Sequence, residues 1–174
     1  MIDPTGPKPL DWMIETTAVP ERGLKGSRTA TEAERAALAK ALDLMACEAL
    51  EATYHIRAVG GGAYRLEGGI DAAVTQACVV SLEPIAARVA EAFSVEFRRD
   101  ATDEAVEGEA EILSAAEVEP IENDQIAVGR IVYEALAAGL EPYPRKDDAA
   151  FEWTDPKLAE GAGNPFAVLK KLKD

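Results

Sequence analysis

Few residues in this chain are suited to chemistry. One histidine, His55, and two cysteines, Cys47 and Cys78, are its only soft side chains among 174 residues. Acid–base or nucleophilic catalysis needs a nucleophile, a base and a group that orients the base. His55 stands between Thr53 and Arg57 on the polar side of an alternating run, which reads as an ordinary exposed imidazole without that company. Carboxylates are plentiful, with 32 Asp and Glu, so the nearness of any two carries no information. A zinc site would need four placed ligands, or three and a water, and the spacing of Cys47, His55 and Cys78 gathers nothing of the kind. In Cys78-Val79-Val80-Ser81, serine takes the second position of what would be a tight cysteine pair. Both cysteines read as small core groups. Gly60-Gly61-Gly62 lacks the following lysine and hydroxyl residue of a phosphate loop and reads as a turn between strands. The expectation is a protein that is not an enzyme and uses no cofactor and no metal.

Charge narrows the partners. With 18 basic groups the formal net charge is −14, a field that repels phosphate backbones and anionic lipid heads. A broad face for DNA, RNA or membrane is disfavoured, and a basic protein partner is favoured. No stretch of about 18 apolar residues occurs, and Met1 to Pro9 shows no apolar run behind a basic head, so the expected location is the cytoplasm. Two cysteines cannot form a disulfide framework, in keeping with a reducing compartment.

The elements that would position these groups can be read from periodicity. Residues 1–29 are rich in proline and glycine and read as an irregular arm, with Trp12, Met13, Ile14 and Val19 lying across the domain as an extended segment or edge strand. Thr31 and Glu34 have the spacing of a capping box, opening a helix with a stripe of Leu38, Ala41, Leu42 and Met45 that should end near 45–48. From Leu50 the period becomes two: Leu50, Ala52, Tyr54, Ile56 and Ala58 share one face. After the glycine turn, Tyr64, Leu66, Ile70, Ala72 and Val74 resume the alternation, with Gly68-Gly69 expected to mark a bulge or bend. A third run carries Val89, Phe93, Val95 and Phe97, so three antiparallel strands form a meander and the aromatics fall on its core face. Residues 100–124 hold ten acidic and no basic residues and read as a solvated connection. Asp124 could cap a second helix with a stripe of Val128, Ile131, Val132, Ala135 and Leu136, the natural cover for the sheet. Asn164-Pro165 suits the start of a short terminal helix. The expected fold is α+β: an antiparallel sheet against two main helices, divided into an arm (1–29), a core (30–146, with the acidic loop 100–124) and a C-terminal extension (147–174).

Three segments together resemble the YceD-like family, the large ribosomal RNA subunit accumulation proteins. They are Thr75 to Pro84, Asp124 to Leu136 running into Pro142-Tyr143-Pro144-Arg145, and Asn164 to Leu169 with Leu172 and Lys173. Many members carry a cysteine pair where this chain has Cys78 and Ser81. The resemblance implies a role in accumulation of large-subunit ribosomal RNA, hence ribosome biogenesis, and a protein that is not an enzyme.

Charge suggests that such a protein works by holding a basic ribosomal or assembly protein, with two contact segments: Glu107, Glu109 and Glu111 in the acidic stretch, and Asn164, Pro165, Phe166, Leu169 and Leu172 at the end. One alternative is direct contact with pre-ribosomal RNA through a basic spot of Arg98, Arg99, Arg145 and Lys146, joined by Lys170, Lys171 and Lys173. Another is a carboxylate-dependent hydrolase. Elemental analysis of the purified protein is expected to find no stoichiometric zinc; one tightly held zinc per chain, lost with Cys78→Ser, would contradict the reading of both cysteines.

Overall fold

The structure, a computed structural model, describes residues 9–99 and 117–147. Three strands of fifteen residues, β3 (Ala46–Gly60), β4 (Ala63–Ala77) and β5 (Pro84–Arg98), form the expected meander. β2 (Leu24–Thr29) flanks β3 antiparallel and β6 (Glu117–Pro120) flanks β5 in parallel, giving the order β2-β3-β4-β5-β6. A separate ribbon pairs β1 (Met13–Glu15) with β7 (Gln125–Ala127). Two helices, α1 (Glu32–Ala41) and α2 (Val128–Gly139), complete an α+β architecture. No helix among the described residues is long and apolar enough to cross a membrane.

Alternation places Leu50, Ala52 and Ile56 of β3 beside Leu66, Ile70, Ala72 and Val74 of β4 and Val89 and Val95 of β5, all buried. α2 closes this face with Val128, Ile131, Val132 and Leu136. The arm crosses the domain as expected, with Trp12 only 1 % exposed. Its indole Nε1–H donates to Glu34 at 2.7 Å while the Arg28 guanidinium lies 5.2 Å from the ring centroid. The capping box of Thr31 and Glu34 is present in both directions.

Four local expectations are corrected. Residues 24–29, read as irregular, are strand β2; Gly26 lies opposite Tyr54, and a Cβ there would meet the Tyr54 ring at 2.7 Å, so the glycine admits the ring. α1 ends at Ala41 instead of near residues 45–48, because Asp43 turns left-handed (φ 53°) and sends Met45 N–H to Thr75 O, leaving Met45 exposed. β3 therefore starts well before Leu50, and a register shift between Cys47 and Ala49 hides its first residues from a simple period of two. Gly68-Gly69 is no bulge: β4 stays in register on both sides, and Gly68 makes room for Phe93, whose Cζ a Cβ would approach to 2.8 Å.

Within the acidic stretch, 117–120 is strand β6, not a solvated connection, and Glu119 pairs with Arg130 of α2 at 2.9 Å. α2 begins after Ala127, not at Asp124. Asn123 and Asp124, both left-handed, form the turn that lets 125–127 pair with β1 first.

Ile131 is 3 % exposed at the centre of the α2 seal. Ile131→Asp is expected to cost more than about 3 kcal/mol, lowering the melting temperature by roughly ten degrees or loosening the fold outright. Ala137→Asp, on the exposed side of the same helix, should melt close to the parent by circular dichroism.

Candidate functional site

Two of the sequence segments singled out above, 75–84 and 142–145, meet in space. β4 and β5 are joined by a turn in which Cys78 N–H donates to Glu83 O at 2.8 Å and Leu82 N–H to Cys78 O at 2.9 Å. Leu82 adopts φ 59° to close it. The chain leaving α2 clamps this turn. Val79 N–H donates to Pro144 O at 2.9 Å, Lys146 Nζ to Glu83 at 3.0 Å, and the buried Gln76 side chain to Glu141 O at 2.9 Å.

These bonds satisfy backbone groups inside the clamp, and three large apolar side chains stand outside it among the exposed polar Ser81, Glu83, Glu141, Arg145 and Asp147. Val79 is 51 % exposed, Leu82 73 % and Tyr143 76 %. Met45, tied to Thr75 O, stands exposed on the adjoining strand end. Large apolar side chains gathered at one end of a sheet, each held out by a turn that the rest of the fold braces, are a surface suited to a partner.

Cys78 lies beneath this surface, fully buried and free, as is Cys47 elsewhere in β3. Its Sγ accepts Ser81 N–H at 3.5 Å. The Ser81 hydroxyl, then the Ser81 and Lys146 amides, hold the thiol down to about 6, against the opposing effect of burial. Burial acts the other way on Cys47 and raises it. Ser81 thus meets a single thiol through its amide, and its hydroxyl donates to Glu83 at 3.2 Å. No group of three His, Cys, Asp or Glu able to hold a metal occurs among the described residues.

His55 is not an ordinary exposed imidazole. Its ring is tucked under Gly23, where a Cβ would meet Nε2 at 2.5 Å, and that nitrogen is buried without a hydrogen-bond partner among the described residues. Gly23 has φ 84°, so both the backbone and the ring require glycine there. Lys25 and Glu67 flank His55 across the sheet, and Glu67 is engaged by Arg57 at 3.1 Å.

Of the basic spot considered above, the described residues fall into two groups. Arg98 and Arg99 stand at the end of β5, paired with Glu96 and Asp124, whereas Lys146 is bound to Glu83 just before β5 begins. The length of a fifteen-residue strand, up to roughly 45–50 Å when straight, separates the two groups. Glu107, Glu109, Glu111, Asn164, Pro165, Phe166, Leu169, Leu172, Lys170, Lys171 and Lys173 lie outside the described residues. Val79, Leu82 and Tyr143 were not distinguishable beforehand: beside a strand, an apolar residue reads as core until the turn that ejects it is known.

The family model described as "Large ribosomal RNA subunit accumulation protein YceD" matches residues 66–173, more than half of the chain, and spans both the Cys78 turn and α2. Comparison with the curated proteins and with the solved structures finds no match.

The thiol makes a pH-dependent contribution whose sign follows from its shift. Since the folded protein holds Cys78 below its ordinary 9.0, the associated stability is complete above about pH 9 and lost as pH falls through about 6. Denaturant titrations of the parent and Cys78→Ser should show a stability gap that widens from pH 6 to 9; a constant gap would contradict this.

Proposed function

This chain belongs to the family of large ribosomal RNA subunit accumulation proteins YceD, and on that premise we propose that it acts without catalysis, by docking a basic ribosomal or assembly protein. The description of the family implies a role in large-subunit ribosomal RNA accumulation and names no reaction. The observation that carries the docking reading is the exposed apolar group Val79, Leu82 and Tyr143, raised on a turn that the segment after α2 clamps. An apolar centre in a chain of net charge −14 favours a cationic protein with an apolar anchor, since apolar contact supplies affinity and the field speeds encounter.

Two further contacts complete this reading. Glu107, Glu109 and Glu111 supply negative charge to the same partner, and Phe166, Leu169 and Leu172, following Asn164-Pro165, form a short anchor beyond the clamp. Direct gripping of pre-ribosomal RNA receives less support, because among the described residues Arg98 and Arg99 lie at one end of β5 and Lys146 at the other, each paired with a carboxylate. In this reading the protein works in the cytoplasm, where ribosomal components are assembled.

Leu82→Asp and Tyr143→Ser alter exposed side chains and should leave the melting temperature within about two degrees of the parent. Each is expected to abolish capture of basic ribosomal or assembly proteins from growing cells and to fail to restore large-subunit rRNA in depleted cells. Deleting 164–174 should behave in the same way. Full restoration by all three variants would overturn the docking reading.

A further inference from the structure

The outer edge of β5 is covered over only part of its length. β6 pairs with Val95 to Arg98, and among the described residues no strand pairs with the outer edge from Pro84 to Ser94. That is a run of roughly 36 Å of backbone whose outward N–H and C=O groups are paired by no described strand. Ala86, Arg88, Ala90, Ala92 and Ser94 on its outer face are all exposed.

Proteins commonly guard such an edge with short length, charge or a bulge. The opposite edge follows that rule, since β2 has six residues and carries Lys25 and Arg28. The β5 stretch is longer, runs without a register shift, and has four alanines with Arg88 as its one cation.

Charge on the other rim of this edge identifies what fits. Gly139, the last residue of α2, lies against Val89 and Glu91, close enough that a Cβ on it would come within 2.7 Å of Glu91 Cγ and 3.2 Å of its Oε1. The helix therefore presents its negative end to a carboxylate, and its last turn contains no basic residue. Glu91 is exposed and has no ion pair or hydrogen bond among the described residues. Two negative features meeting at one point, with no cation paired to them among the described residues, favour a cation from outside.

We infer that the edge from Pro84 to Ser94 receives an extended, basic segment of a partner protein as an added strand, with a lysine or arginine seated between Glu91 and the end of α2. Main-chain hydrogen bonds supply the affinity and the cation supplies the register. Arg88 repels cations on the outer face, so the basic residues of the incoming strand alternate onto the α2 side. The edge starts at the turn carrying Leu82, and one partner can run from the apolar group along β5. A second copy of this chain is a poorer occupant, because it would bring another net charge of −14 to the contact. The inference rests on the docking reading above and names the form of the partner.

The test uses the full chain and a synthetic ten-residue peptide of alternating lysine and valine, read by amide hydrogen exchange across β5 and by the dissociation constant. The peptide should slow exchange between 84 and 94, and an alternating glutamate–valine peptide should not. Glu91→Lys should weaken the peptide at least about tenfold while folding normally, with Glu91→Gln intermediate. Equal binding of both peptides, or an unchanged constant for Glu91→Lys, would overturn the inference. So would slow exchange of the free edge at every protein concentration, which would mean that the chain covers itself, or slowing that grows with concentration, which would mean a second copy. Failure of the peptide while Leu82→Asp still abolishes capture removes the edge and leaves the docking reading standing.

Discussion

The structure depends on sealing one wide apolar face. Three fifteen-residue strands present Leu50, Ile56, Leu66, Ile70, Val74, Val89, Val95 and Phe97 to the same core. Each such side chain contributes about 1.5–3 kcal/mol only if it stays out of water. α2 supplies much of the cover, and the arm holds α2 in place. Gly129 N–H donates to Trp12 O at 3.0 Å, and a Cβ on Gly129 would come within 2.9 Å of Trp12 N. The arm's backbone thus touches the helix's backbone, a proximity only glycine permits.

Inside the sheet, a row running across four strands alternates glycine and aromatic: Gly26, Tyr54, Gly68, Phe93. Each ring lies over a neighbouring glycine, so bulky side chains share a row without forcing the strands apart. The outer face carries its own anchor in Glu96, buried between Arg98 at 2.6 Å and Arg65 at 3.0 Å. Arg98 first, and Arg65 next, hold its carboxyl below the usual carboxylate range, which keeps it charged and its burial tolerable.

The same economy shapes the end of the sheet that carries Val79, Leu82 and Tyr143. The turn after β4 has internal bonds from Cys78 and Ser81 and gains further support from the segment after α2, through the Pro144 carbonyl and Lys146. Since α2 is itself fixed by the arm, the exposure of Leu82 and Tyr143 depends on contacts made far away in the chain. The surface is consequently preorganised, and binding there need not order a loose loop.

Periodicity by itself determined the meander, the glycine turn, the capping box and the α2 stripe, because each is written in residues close together and enforced by a local geometry. The segments around Cys78, Pro144 and Asn164 were likewise enough to indicate the family, and composition alone set the charge. Other features were decided only in three dimensions. β2 was hidden because its glycine matters for a ring on another strand. β6 was hidden because Glu117 and Glu119 look like a charge run until Arg130 from α2 stands beside Glu119. His55 looked solvent-facing because nothing nearby in sequence announces that Gly23 folds over it. The exposed apolar group of Val79, Leu82 and Tyr143 belongs to this second group. Whether an apolar residue ends in the core or in solvent depends on which distant backbone groups satisfy the turn that carries it, and those partners are fixed only when the whole chain has packed.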